Sequence, residues 1–160
     1  MKIKITEKQY TLLKESVDNK IFDFVITNIE RGIIKPPYFK TLSEDFDLPN
    51  DQIKTILKKF IGGKVTMYKN GDTLVIDRRD NRLYEEDKDG WWIKQLFDER
   101  DNLIYTESND GWAKWEYDGN RNLTYYENDE GTWEKIMYDK WSNKIIYKET
   151  SDEGVVKDLR

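Results

Sequence analysis

The sequence contains no cysteine and no histidine, and only three prolines among its 160 residues. Without cysteine there is no disulfide framework and no thiolate metal site. Without histidine, imidazole metal sites and histidine-based acid–base catalysis are excluded too. No run of about 18 apolar residues occurs, so no membrane-spanning helix is expected. The opening "MKIKITEKQY" lacks the apolar stretch of a secretory signal.

Charge and aromatic side chains are what the chain does have. Charged residues make up 37% and mean hydropathy is -0.91, yet aromatics reach 14%, and disordered chains are poor in aromatics. A chain of this length accommodates one or two small domains with a real core. The two halves differ. Residues 1–78 hold 14 Lys/Arg and 11 Asp/Glu, a net +3, whereas 79–160 hold 13 and 21, a net -8. All six tryptophans lie in the second part. Two regions of different chemistry, 1–77 and 78–160, are the simplest account.

The second region repeats a unit of about twenty residues four times, which signals stacked supersecondary units. The copies read "NRLYEEDKDGWWIKQLFD", "NLIYTESNDGWAKWEYD", "NLTYYENDEGTWEKIMYD" and "NKIIYKETSDEGVVKDLR", the last with Val for Trp. They start at Asn81, Asn102, Asn122 and Asn143, in steps of 21, 20 and 21 residues. The acid-Gly pairs Asp89-Gly90, Asp110-Gly111, Glu130-Gly131 and Glu153-Gly154 predict tight hairpin turns. A second turn follows each aromatic-Asp pair, from Asp98 to Asn102, Asp118 to Asn122 and Asp139 to Asn143, where the Asx side chains bond their own backbone. Each unit is then a β-hairpin and the array an antiparallel meander. Strand parity puts Trp92, Trp112 and Trp133 on one face and Trp115, Phe97 and Tyr138 on the other. A two-residue turn at Asp110-Gly111 sets Glu107 opposite Lys114, the first rung of a cross-strand charge ladder.

The first region is helical in pattern. "KIKI" reads as a short strand, and Thr6 with Gln9 as a capping box. Tyr10, Leu13 and Val17 share one helical face and Phe22, Val25 and Ile29 another, so residues 1–35 read as two amphipathic helices, the second stopped by Gly32. Pro36-Pro37 breaks the pattern. Residues 41–57 follow with a helix, a turn and a second helix bearing Ile53, Ile56 and Leu57. Gly62-Gly63 then leads into two alternating runs joined by Asn70-Gly71, a hairpin signal. Asp77 precedes Asn81 by the same spacing as the later turns, so this hairpin and the repeats are expected to form one sheet of up to ten strands, with helices over one end. The fold class is α+β.

Residues 41–57 resemble a helix-turn-helix, with Ser43 at the small position of the first helix, Phe46 and Leu48 flanking the turn, and Asp47 where that family has Gly. With the helix before and the hairpin after, residues 1–77 resemble a winged-helix domain. The resemblance implies duplex-DNA contacts by Asn50, Gln52 and Lys54 in the major groove and by Lys58, Lys59, Lys64 and Lys69 at phosphates. "YDGNRNLTYY" and "YDKWSNKIIY" resemble the YD repeats of the RHS family, without its turn glycine. A weaker likeness is to the Gly-Trp repeats that bind cell-wall choline or glucan. The short N-terminus with such repeats resembles proteins of tailed bacteriophages. A protein of the host cytoplasm or of the virion is therefore expected, with no cofactor and no membrane.

The carboxylates recur at fixed structural places, and "EEDKDG" and "ENDEG" lack the ligand order of an EF-hand loop, so neither catalytic nor metal residues are assigned. Two functions remain. One is an interaction protein that binds a protein partner through Trp92, Trp112, Trp133, Tyr105 and Tyr125, as a particle component or an inhibitor of a host system. The alternative is a DNA-binding regulator working through the helix-turn-helix.

Overall fold

The computed structural model describes residues 7–151 and 157–158, with side chains from 19 to 151. Three helices, α1 (Glu7–Glu30), α2 (Tyr38–Glu44) and α3 (Asn50–Phe60), precede nothing but strands. These are β1 (Lys64–Met67), β2 (Thr73–Ile76), β3 (Arg82–Glu86), β4 (Trp92–Phe97), β5 (Leu103–Ser108), β6 (Gly111–Tyr117), β7 (Leu123–Asn128), β8 (Trp133–Tyr138), β9 (Ile145–Thr150) and the two-residue β10 (Lys157–Asp158). They form one antiparallel sheet in strict chain order, β1 to β10. The expected continuity across Asp77 holds, since β2 pairs with β3, Val75 opposite Tyr84. The expected strand at 2–5, the Thr6 cap, the face of Tyr10, Leu13 and Val17 and the turn at Glu153-Gly154 lie outside the described residues.

One expectation for the helices is corrected. Residues 7–30 form a single helix rather than two. The stretch between the two apolar faces, "ESVDNKI", holds no glycine or proline, so nothing forces a break. The helix ends where Gly32 adopts φ 68, with the Ile33 and Ile34 N–H groups returning to the Asn28 carbonyl at 2.9 and 3.1 Å. Between α2 and α3, Asp47 takes φ 50, the left-handed conformation that Asp tolerates better than most side chains. Gly63 after α3 is obligatory, because a Cβ there would come within 2.1 Å of the Ile76 carbonyl oxygen.

The core sits between the helices and one end of the sheet. Val25 and Ile29 of α1, Leu42 of α2, and Ile53, Ile56 and Leu57 of α3 close over Val65, Val75, Tyr84 and Trp92. Those four sheet residues share one face, as the pairings Val65–Val75, Val75–Tyr84, Tyr84–Lys94 and Glu86–Trp92 require. We call it the front face. The first repeat unit thus contributes Tyr84 and Trp92 to the core that the helices build.

Beyond β4 the sheet is a single layer among the described residues. All six residues of β5, and all six of β7, are half-buried, so neither face is sealed. What holds this part is the ladder and its turns. Asp98 accepts from the Arg100 and Asn102 N–H groups at 2.8 and 2.9 Å and from the Asn102 side-chain amide at 2.8 Å. Asp118 repeats this with Asn120 and Asn122, and Asp77 with Arg79 and Asn81. The residue before each Asn has positive φ, Asp80, Asp101 and Arg121 at 64, 63 and 67°. The fourth turn departs from the sequence alignment: Asn143 itself takes the positive φ of 56°, and Lys144 closes the turn to the Asp139 N–H. The turn is one residue longer, so the units are matched in structure through Lys144 rather than Asn143.

Candidate functional site

The pairings place Trp112, Trp133, Tyr105 and Tyr125 on the front face, together with Trp92. Their fates differ. Trp92 is 8% exposed and belongs to the core beneath the helices. Trp112, Trp133, Tyr105 and Tyr125 are half-buried, and no element among the described residues packs over them. Trp115 lies on the back face, its ring 5.7 Å from that of Tyr126.

The predicted charge ladder exists in a different register. The β5–β6 turn is Asn109-Asp110, with Ser108 opposite Gly111, so Lys114 faces Tyr105 and Glu107 faces Trp112. A slip of two residues keeps every side chain on its face. Lys114 meets Glu127 of the next unit instead, directly opposite and 2.5 Å away. Lys94 opposite Glu107 and Lys135 opposite Glu149 repeat the arrangement, so each rung joins two units.

A pattern that the site assignment passed over organises this face. Every unit carries Tyr-x-Glu: Tyr84 and Glu86, Tyr105 and Glu107, Tyr125 and Glu127, Tyr147 and Glu149. Two residues apart on a strand, each pair shares a face. The phenol donates to the carboxylate at 2.7 Å in the first unit, 3.1 Å in the third and 2.6 Å in the fourth. In the second, burial pushes the Tyr105 phenol up, with Glu107 and its hydrogen bond adding to the shift. The Lys114 ammonium bonds Glu127 and holds its carboxyl below the ordinary glutamate range, and it also lies 5.3 Å from the Tyr125 ring centre.

In the first unit the same pair docks a helix. Glu86 is fully buried and accepts from the Phe39 and Lys40 N–H groups, both at 2.8 Å, while the Tyr84 hydroxyl accepts from the Tyr38 N–H at 3.0 Å. Pro37, which precedes α2, offers no side-chain cap, so a strand residue supplies the acceptors that the helix start needs. Burial raises the Glu86 carboxyl above its ordinary range, although Tyr84 and the two N–H groups pull the other way. Burial also pushes the Tyr38 phenol up to about 12, with the charge of Glu107 adding to it.

The residues of the DNA alternative divide. Lys54, Lys58 and Lys64 line one groove of about 420 Å³ together with Gly63, Val65, Asp77 and Arg78. Asn50 is exposed at the start of α3 and Gln52 half-buried. Lys59 turns away to Asp23 at 3.6 Å and lies over the Phe22 ring, and Lys69 is exposed in the β1–β2 turn outside that groove. Arg78 escaped the sequence reading because it stands in the turn between regions, and only the fold brings it to α3.

Among the described residues no helix is long and apolar enough to cross a membrane, and no acidic cluster is arranged to hold a metal ion. No protein-family model and no curated protein matches the chain.

Proposed function

We propose that this is a non-enzymatic interaction protein whose repeat sheet binds a protein partner through the front face, with Trp112, Trp133, Tyr105 and Tyr125 as its contacts. One observation carries the reading. The front face is covered over the first unit and half-exposed from β5 onward, although its composition hardly changes. Trp and Tyr in a partly desolvated surface are the side chains that dominate binding energy. The resemblance to YD repeats and to tailed-phage proteins supports an origin in a phage or mobile element, acting in the host cytoplasm or in the particle, as a component or an inhibitor.

A second reading has its own support. Lys54, Lys58, Lys64 and Arg78 converge on one groove beside α3, which suits the phosphate backbone of duplex DNA and a winged-helix regulator.

Paired Ala changes at Trp112 and Trp133 separate the two. With circular dichroism showing the variant folded, it should lose the protein captured by the wild type, and Lys54→Glu with Lys58→Glu should keep it. Steeply salt-dependent binding to duplex DNA that only the lysine changes abolish would shift the working site to the groove.

A further inference from the structure

Among the described residues nothing covers the back face of the repeat sheet. The helices lie on the front, and no described element packs behind β3 to β9. The pairings put Ile93, Thr106, Ala113, Trp115, Tyr126 and Ile136 on this side. Its chemistry differs from that of the front. The front face sets Lys opposite Glu at Lys94–Glu107, Lys114–Glu127 and Lys135–Glu149. The back face over β3–β9 carries only Glu85, bonded to Arg82, and Glu134, bonded to Lys148. It has little charge left unmatched. Ala113 and Ile136 are buried at 9% and 7% without any described layer above them, and Thr106, opposite Ala113, has its hydroxyl buried without a hydrogen-bond partner. A surface already this dry loses little by being covered.

We infer that the back face is covered in solution by a second copy of this chain, back to back. Three arguments choose that occupant. Sheets pack face to face only when their twists match, and an identical sheet matches by construction. The ion pairs on the face are internally balanced, so a two-fold brings no unpaired like charges together. The area also suffices. Seven strands about 4.8 Å apart and about 17 Å long span about 570 Å² per copy, or about 1,100 Å² in total, above the roughly 1,000 Å² a specific interface needs. The net charge of the repeats then lies at turns and on the outward front faces. This goes beyond the partner site proposed above, which uses the opposite face, and the two stand or fall separately.

Sedimentation equilibrium of the intact chain across the micromolar range tests it. The expected mass is twice the 19.3 kDa of one chain. Gln95→Lys and Thr150→Lys, made singly and together at half-buried back-face positions, should weaken the dimer by about tenfold or more, roughly 1.4 kcal/mol. Circular dichroism reports whether each remains folded, and the single variants serve if the double does not. Trp112→Ala with Trp133→Ala should leave the dimer intact. A single-chain mass at every concentration overturns the proposal. So does a folded lysine variant that dimerises as tightly as the wild type, or a dimer dispersed by the front-face Trp changes alone.

Discussion

The first and third repeat units carry the same Tyr-x-Glu pair on the same face and use it in opposite ways. Around Glu86 the water is gone: the carboxylate is fully buried, holds two helix N–H groups and faces Thr73 on the neighbouring strand. Around Glu127 the position opposite is Lys114, and the carboxylate stays partly in water as half of an ion pair. One substitution across the ladder, Thr for Lys, leaves Glu86 without a cation and lets helix N–H groups supply the positive end instead. A repeat becomes a docking platform by losing its lysine, and the aromatic and acidic residues need not change.

Truncating the two glutamates gives the widest contrast. Glu86→Ala leaves two part-buried N–H groups and the Tyr84 O–H without an acceptor, so about 3 kcal/mol of stability should be lost in urea unfolding. Glu127→Ala should leave the midpoint nearly unmoved, because exposed ion pairs contribute little. Equal losses would mean that the environments are not distinct.

Thr73 offers a change of opposite sign. It is fully buried with its hydroxyl unpartnered, and Thr73→Val removes that burden at nearly constant shape. A gain of about 1 kcal/mol is expected in thermal or urea unfolding. A loss would show that the hydroxyl serves Glu86 after all.

The pH response sharpens the contrast further, with the smallest effects. The native Glu86 carboxyl sits above its ordinary range because of burial, so the native state holds that proton more tightly than the unfolded chain. Its contribution is fully present below about pH 4.3 and is lost as pH rises through the native value. The Asp98 and Asp118 carboxyls are held low by the Asn102 and Asn122 amides, followed by backbone N–H groups. Theirs is present above about pH 3.9 and lost as pH falls through the native values. Glu86→Gln should therefore flatten the decline on the alkaline side of pH 4.3, and Asp118→Asn the decline on the acid side of pH 3.9, in urea midpoints measured across pH. Matching slopes in the two variants would refute the assignment.

Much of the fold could be read from the residues, for local reasons. Asn70-Gly71, the Asp-to-Asn spacing and the alternation after Lys64 each act within a few residues, and strand parity survives a slip of two. Parity put Trp92, Trp112 and Trp133 on one face and Trp115 on the other, as the pairings have them. Three things it could not show. The two-helix reading of residues 1–35 failed because two apolar faces do not require a break between them. The turn at Asn109-Asp110, two residues off in register, leaves every side chain on its face, so parity did not reveal it. The burial of Trp92 and Glu86 depends on α2, whose placement is set by residues some 46 positions away.

Because each strand pairs within the sheet only with its chain neighbours, the sheet is a ruler as much as a surface. One unit adds two strands, about 9.6 Å of width, and its rungs and turns bind only the units beside it. Duplicating residues 102–121 would move the far edge outward by that step and leave the helical end as it is. The number of copies thus sets how far the C-terminal edge stands from the Lys54 groove, in fixed increments.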